Sequence, residues 1–119
     1  MTILVLEDDT AVLELLERLL AIHGDTVLSA RAAAEADAAV SRHGAAPDVL
    51  LTDIMVGGDN GVDYAQQLKS RMPSVRILFM TGLAHRAPAA LRSGLGPVLH
   101  KPFSAHELFR ALDELALTS

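Results

Sequence analysis

Residues 49–53 read Val-Leu-Leu-Thr-Asp, a short and mostly apolar run that ends in a carboxylate. Residues 3–9 read Ile-Leu-Val-Leu-Glu-Asp-Asp and have the same form, an apolar run followed by acidic residues. Each apolar run is too short for a helix, and solid runs of this length are typical of strands buried on both faces of a parallel sheet. The two stretches therefore predict a parallel sheet in which two strands end at carboxylates.

Helical patterns alternate with strand patterns along the rest of the chain. Asp9 or Thr10 is suited to cap a first helix, and Ser104 with Glu107 forms the S-x-x-E box that starts the last one. Further strands are predicted at 26–28, 75–80 and 98–100, and further helices at 32–40, 61–71 and 88–93. This alternation predicts the α/β class: a five-stranded parallel sheet, doubly wound, in a flavodoxin-like three-layer sandwich.

The composition limits the chain to a few classes of protein. Its 119 residues suit one domain, which we expect to span 1–119. The chain has ten basic and fifteen acidic residues, which give a net charge of −5, and the basic residues do not cluster. This charge pattern argues against a surface that binds nucleic acid. The absence of cysteine excludes disulfides and thiolate chemistry. No apolar run approaches the ~20 residues of a membrane span. Acidic residues follow Met1 too soon for a signal peptide, so we expect a cytoplasmic location.

Polar residues follow the predicted strands at their carboxyl ends, which meet at one edge of a parallel sheet. Glu7 and Asp8 follow the first strand, and Asp53 ends the third. Thr81 and Lys101 end the fourth and fifth. Crowded carboxylates repel one another unless a cation is bound, and an all-oxygen set favours Mg²⁺, with Mn²⁺ as the alternative. A hydroxyl and an ammonium beside them suit phosphoryl oxygens, so the set predicts a carboxylate that accepts a phosphoryl group.

Short motifs at these strand ends carry a family resemblance. In chain order they are I-L-V-L-E-D-D, P-D-V-L-L-T-D-I-M, D-N-G, F-M-T-G and H-K-P-F. Together they resemble the receiver domain of bacterial two-component response regulators over essentially the whole chain. The last third, V-L-H-K-P-F followed by H-E-L-F-R-A-L, is most similar to receivers attached to hybrid sensor kinases.

The resemblance implies that Asp53 accepts a phosphoryl group from a sensor histidine kinase or a histidine phosphotransfer protein, and that the change is passed to a downstream protein target. It implies that Mg²⁺ is bound directly by Asp8, Asp53 and the backbone carbonyl of Met55, and by Glu7 mostly through water. Such a domain catalyses part of its own phosphorylation and dephosphorylation but turns over no separate substrate, so it is not expected to be an enzyme.

The resemblance also assigns roles at the ends of the last two strands. It implies that Thr81 and Lys101 contact the phosphoryl oxygens. It further implies a cis peptide bond between Lys101 and Pro102, a form that only X-Pro bonds adopt readily.

The sequence departs from the family pattern in three places. The segment from Thr81 to Gly94 is about two residues shorter than in chemotaxis-type receivers. Gly57 replaces the usual proline in the loop after the phosphorylated residue, and Val98 replaces the usual aromatic residue of the last strand. Because glycine permits many backbone conformations, we expect a mobile loop over 56–60 that becomes ordered on activation. Val98 has no ring to move between two positions, so little change is expected there.

Two other functions stay open. A Mg²⁺-dependent phosphatase with an aspartate nucleophile needs a second aspartate two residues further on as the acid–base group, and Met55 occupies that position. A pseudo-receiver would keep the fold and dock partners without being phosphorylated. The complete set of carboxylates, together with Thr81 and Lys101, argues against it.

The histidines are expected to be structural or solvated rather than phosphorylated. A histidine phosphotransfer protein presents its histidine on a helical bundle. The sequence pattern here does not predict a helical bundle. His100 lies in a strand and should point away from Lys101. The others are expected to be solvated: His23, His43, His85 and His106.

Overall fold

The predicted strands form one sheet in this computed structural model, which describes residues 1–117. In chain order the strands are β1 (Thr2–Leu6), β2 (Thr26–Ala30), β3 (Val49–Asp53), β4 (Met55–Val56), β5 (Asp59–Asn60), β6 (Arg76–Thr81) and β7 (Val98–His100). Over residues 1–117 the main sheet has five strands, all parallel, in the order β2-β1-β3-β6-β7. This order confirms the predicted doubly wound, flavodoxin-like arrangement.

Helices cover both faces of the sheet and enclose two apolar cores. They are α1 (Thr10–His23), α2 (Ala33–His43), α3 (Gly61–Arg71), α4 (Ala87–Ser93) and α5 (Ala105–Leu117). One core lies under α2, α3 and α4 and contains Leu50, Phe79 and Tyr64. The other lies under α1 and α5 and contains Leu51 and Met80. Neighbouring residues of β3 therefore point to opposite faces, which explains why the strand is apolar throughout. Between residues 1 and 117 no helix is both long and apolar enough to cross a membrane.

Local capping explains where the first and last helices begin. The Asp9 carboxylate accepts hydrogen bonds from the backbone N–H groups of Ala11 at 2.9 Å and Val12 at 3.2 Å, so Asp9 is the N-cap of α1. The capping box is formed as predicted. Glu107 N donates to the Ser104 hydroxyl at 3.0 Å, and Ser104 N donates to the Glu107 carboxylate at 3.1 Å.

The segment over 56–60, predicted as a glycine-containing loop, is part of a short hairpin. Strands β4 and β5 pair in antiparallel register, Met55 with Asn60 and Val56 with Asp59. Gly57 and Gly58 form the two-residue turn of this hairpin, and Gly57 has a positive φ of 59°. A two-residue hairpin turn favours glycine because its backbone enters the left-handed region. The glycines therefore form a tight turn between the two short strands.

Candidate functional site

The parallel register places the predicted site residues at one edge of the sheet. Asp53 ends β3 opposite Met80, and Thr81 ends β6 opposite His100. Glu7 follows β1, and Lys101 follows β7. Because β1, β3, β6 and β7 run in the same direction, all of these side chains start from the carboxyl edge, as predicted.

Lys101 joins two carboxylates of different strands. Its Nζ lies 2.8 Å from Asp53 Oδ2 and 3.0 Å from Glu7 Oε1. Burial alone would lower the pKa of Lys101, but the hydrogen bonds to Asp53 and Glu7 outweigh it and raise the pKa. The side chain of Lys101 is 21% exposed and that of Asp53 is 16% exposed, so this ion pair is only partly screened by water. The site therefore holds a fixed positive charge beside the Asp53 carboxylate.

Glu7 is the most deeply buried acid of the site, with a side chain that is 2% exposed. Its Oε2 atom is buried and, across residues 1–117, has no hydrogen-bond partner. Burial raises the pKa of Glu7 to about 7, with Lys101 acting to lower it and Asp53 to raise it. A buried carboxylate oxygen without a partner is costly, so Oε2 is suited to take a proton, a water molecule or a cation.

Asp8 differs from Glu7 because its side chain is exposed. Its carboxylate makes no hydrogen bond or ion pair with any residue between 1 and 117. A Cβ atom added to Gly57 would lie 4.0 Å from Asp8 Oδ2, so the carboxylate faces the turn of the β4–β5 hairpin. The backbone carbonyl of Asp8 accepts from the Arg31 guanidinium, at 3.2 Å from Nη2 and 3.4 Å from Nε.

The backbone at Gly61 lies so close to the carbonyl group of Asp53 that only glycine fits at this position. A Cβ atom at Gly61 would lie 1.9 Å from the carbonyl oxygen of Asp53, so no larger residue fits. Gly61 N donates to the Ile54 carbonyl at 2.7 Å, and Met55 N donates to Asp53 Oδ1 at 3.4 Å. The D-N-G motif marked this position in the sequence, but the steric reason appears only in the fold.

The Thr81 hydroxyl is used within its own turn. It accepts from Leu83 N at 3.1 Å and donates to the Leu83 carbonyl at 3.2 Å. Thr81 lies at the predicted edge and is buried, but its hydroxyl is not bonded to Asp53. The peptide bond between Lys101 and Pro102 is cis, as the resemblance implies.

Two of the expected carboxylates, Glu7 and Asp53, are bridged by the Lys101 ammonium. In the part of the chain that the structure describes, no three His, Asp or Glu side chains lie close enough to form a metal site by themselves. The remaining donors are all oxygens, including the partnerless Glu7 Oε2 and the free Asp8 carboxylate. That chemistry fits a hard cation such as Mg²⁺. The assignment of Asp8, Asp53 and the Met55 carbonyl as ligands stays a prediction.

An apolar groove of about 430 Å³ borders the site and was not predicted from the sequence. It lies between α1 and the segment that follows β7. It is lined by Val12, Leu15, Leu16, Leu19, Gly82, Lys101, Pro102 and Phe103. Leu15 is 53% exposed although its neighbour Leu16 is buried in the core. Helix α1 therefore has an outward apolar stripe beside its inward one, and the many leucines of α1 concealed this in the sequence.

The expectation that His23 is solvated is wrong. Its side chain is 16% exposed, with Nδ1 at 2.7 Å from Asp25 and Nε2 at 2.8 Å from Asp113. The ring also stacks on Phe109 at a centroid distance of 4.9 Å. His100, in contrast, is exposed at the end of β7.

The sequence model of the response regulator receiver domain family matches residues 3–113. The chain is 35% identical over 118 residues to the response regulator MprA of Mycobacterium leprae, covering 97% of this chain and 50% of the relative. It is 36% identical over 118 residues to the DNA-binding transcriptional regulator NtrC of Escherichia coli, covering 96% of this chain and 24% of the relative. The chain thus spans half the length, or less, of these relatives.

Solved structures give the same fold. A response regulator receiver domain protein from Clostridium thermocellum superposes with a TM-score of 0.84 at 28% identity, covering 96% of this chain and 92% of that one. The beryllofluoride-activated receiver domain of RstA from Klebsiella pneumoniae superposes with a TM-score of 0.85, covering 99% of this chain and 100% of that one. At 23% identity the second likeness supports the fold alone.

Proposed function

Because this chain belongs to the response regulator receiver family of two-component systems, we propose that it accepts a phosphoryl group from a phosphohistidine on the Asp53 carboxylate. The observation that carries the proposal is the 2.8 Å contact between Lys101 Nζ and Asp53 Oδ2 at the carboxyl edge of the sheet. This contact places a cation beside the proposed nucleophile, where phosphoryl oxygens arrive.

The transfer needs little from the protein beyond position and charge. An Asp53 carboxylate oxygen attacks phosphorus, the P–N bond of the phosphohistidine breaks, and the imidazole leaves with the electron pair of that bond. The product is an acyl phosphate on Asp53. Lys101 then offsets the charge of the new phosphoryl oxygens, and the Thr81 hydroxyl reaches them only after it leaves the carbonyl of Leu83.

Mg²⁺ completes the proposed site. Asp8, Asp53 and the Met55 carbonyl would bind it directly, and Glu7 would contribute through water; when bound, it neutralises charge on the transferring phosphoryl group. Support comes from the all-oxygen donor set and from the buried Glu7 Oε2 atom that lacks a partner.

The apolar groove suggests how the donor docks. Val12, Leu15, Leu19 and Ile22 follow one another at spacings of three, four and three residues, the pattern with which one helix packs against another. Ile22 is 76% exposed and Leu15 is 53% exposed. A sensor histidine kinase or a histidine phosphotransfer protein presents its histidine on helices, so either fits this stripe beside Lys101. The cytoplasm stays the predicted location, and the downstream target is a protein.

The alternatives have less support. Met55 occupies the position where an aspartate-dependent phosphatase needs its acid–base residue, and a methionine side chain cannot transfer a proton. We therefore propose no turnover of a separate substrate. A pseudo-receiver would have no use for an ammonium held between Glu7 and Asp53.

The proposal is tested by intact-mass measurement after incubation with acetyl phosphate and Mg²⁺. The wild-type protein is expected to gain the mass of one phosphoryl group, and the Asp53→Asn variant is expected to gain none. An unmodified wild-type protein that still binds Mg²⁺ would support the pseudo-receiver instead. Release of inorganic phosphate from a phosphate monoester, with multiple turnovers, would support the phosphatase.

A further inference from the structure

Helix α2 is capped by a residue from a distant part of the chain. Its N-cap position is Ala32, which has no side chain to accept a hydrogen bond. The first amide of the helix, Ala33 N, instead donates to Asp59 Oδ2 at 2.9 Å. Asp59 belongs to β5 and lies 26 residues further along the chain. By contrast, α1 and α3 are capped by their own N-cap residues, Asp9 and Asn60.

The short segment that connects β2 to α2 also contacts Asp8. Arg31, which lies between β2 and α2, donates from its guanidinium to the Asp8 carbonyl at 3.2 Å and 3.4 Å. Its backbone N–H is fixed in turn by Glu35 Oε2 at 3.0 Å. Residues 31–33 are therefore bonded both to the segment that carries Asp8 and to the β4–β5 hairpin.

The β4–β5 hairpin connects Asp59 to Met55, so fixing one residue restrains the other. Asp59 pairs with Val56 across the hairpin, next to the pair of Met55 with Asn60. Two exposed glycines form the turn, so the turn itself adds little stiffness. A bond that fixes Asp59 thus also limits the movement of the Met55 backbone relative to Asp8.

We propose that Asp59 is a positioning residue, which holds the Met55 carbonyl and Asp8 in a fixed relation through the first turn of α2. Mg²⁺ binding at the site and ordering of that first turn are then coupled. This inference rests on the proposed function, because it assigns the two segments to one metal site. Coupling of this kind is reciprocal, so the metal protects the Ala33 amide to the same extent that the cap favours the metal.

The experiment compares variants by NMR titration with Mg²⁺ and by thermal unfolding without it. Asp59→Ala is expected to lower the melting temperature and to weaken Mg²⁺ binding about tenfold, the lower range for loss of a group that orients a metal ligand. Asp59→Asn keeps the acceptor oxygen and is expected to bind Mg²⁺ nearly as the wild type does. Asp63→Ala, which removes an exposed acid from the nearby first turn of α3, is the matched control for charge.

A second variant, in which α2 is capped by its own N-cap residue, distinguishes a role of Asp59 in positioning the metal ligands from a role in stability alone. In Asp59→Ala with Ala32→Asp, the new aspartate caps α2 from its own N-cap position, so the melting temperature is expected to recover while Mg²⁺ affinity stays low. Hydrogen exchange at Ala33 is expected to slow with Mg²⁺ in the wild type but not in this double variant. Recovery of both properties in the double variant, or equal affinities of Asp59→Ala and Asp63→Ala, would overturn the inference. A wild type that binds no Mg²⁺ would overturn the metal site itself.

Discussion

The Nζ atom of Lys101 lies between two carboxylates that come from different strands, 2.8 Å from Asp53 and 3.0 Å from Glu7. This one ammonium offsets part of the charge of both carboxylates in a site that is only partly screened by water. The proposed nucleophile and the cation proposed to stabilise the phosphoryl oxygens are thus already in contact before any phosphoryl group arrives. Preorganisation of this kind is how phosphoryl transfer is accelerated when the protein contributes mainly charge and position.

Lys101→Met removes the ammonium and keeps most of the aliphatic stem. Phosphorylation by acetyl phosphate is expected to slow about a hundredfold or more, the cost of losing one preorganised charge at a transferring group. The rate is followed by intact mass against time. Lys69→Met is the matched control because Lys69, the only other lysine, lies in α3 and bonds the Val75 carbonyl. A Lys101→Met protein that is labelled as fast as Lys69→Met would contradict the role of Lys101.

Leu15→Arg places a charge in the centre of the outward stripe of α1. Transfer from a phosphorylated histidine phosphotransfer protein is expected to slow about tenfold or more, because a central apolar contact is lost on docking. Labelling by acetyl phosphate, which needs no docking surface, is expected to stay unchanged. Leu91→Arg is the control, since Leu91 is 59% exposed on α4, away from the groove. If Leu91→Arg slows transfer and Leu15→Arg does not, the donor docks elsewhere.

Gly61→Ala is expected to destabilise the fold strongly because its Cβ would lie 1.9 Å from the carbonyl oxygen of Asp53. The carbonyl belongs to the backbone and the Cβ is attached directly to the backbone of residue 61, so neither moves cheaply, and we expect a loss of about 3 kcal/mol or more in the free energy of unfolding. Urea unfolding measures the change. Gly58→Ala is the control because a Cβ there meets nothing within 4 Å and Gly58 has no positive φ. Similar midpoints for the two variants would show that the close approach does not exist in solution.

His23 predicts a pH dependence of stability. Each ring nitrogen faces a carboxylate, Asp25 at 2.7 Å and Asp113 at 2.8 Å, and only the protonated ring can donate to both. The hydrogen bond to Asp25 raises the pKa of His23, burial opposes this, and the bond to Asp113 adds to the rise. The folded protein therefore binds the proton more tightly than the unfolded chain. The stabilisation is complete below about pH 6.5 and is lost as pH rises through the folded pKa.

The His23→Gln variant tests this account because glutamine does not titrate in that range. Its free energy of unfolding is expected to be about 1 kcal/mol lower than that of the wild type at pH 6 and similar at high pH. Urea unfolding across this range gives both curves. Parallel curves for the two proteins would mean that His23 is not the titrating group.

Local patterns sufficed to predict the sheet and the edge where the site lies. Solid apolar runs marked β1 and β3, and the acids that follow them had to meet because parallel strands end at one edge. The register also made the approach of Lys101 to Asp53 a reasonable prediction. What local patterns could not give were the specific partners of each polar group.

The missed contacts join residues that are far apart in the chain. His23 and Asp113 are 90 residues apart, and Asp59 caps a helix that begins 26 residues before it. Neither pair leaves a local signal, because a lone histidine or aspartate on a polar segment is usually solvated. The outward stripe of α1 was missed for a different reason. Leu15 stands between inward leucines, so the helical period alone did not distinguish the two faces.

Chemical trapping of the phosphorylated residue tests the central claim most directly. The protein is incubated with acetyl phosphate and Mg²⁺, the acyl phosphate is reduced with borohydride, and the reduced residue, homoserine, is located by tandem mass spectrometry of the peptides. We predict homoserine at position 53 and at no other aspartate. When both proteins are incubated for the same short time, we predict no homoserine in the Lys101→Met protein. Homoserine at Asp8 or Asp59, or a phosphorylated wild type with an unmodified Asp53, would contradict the account.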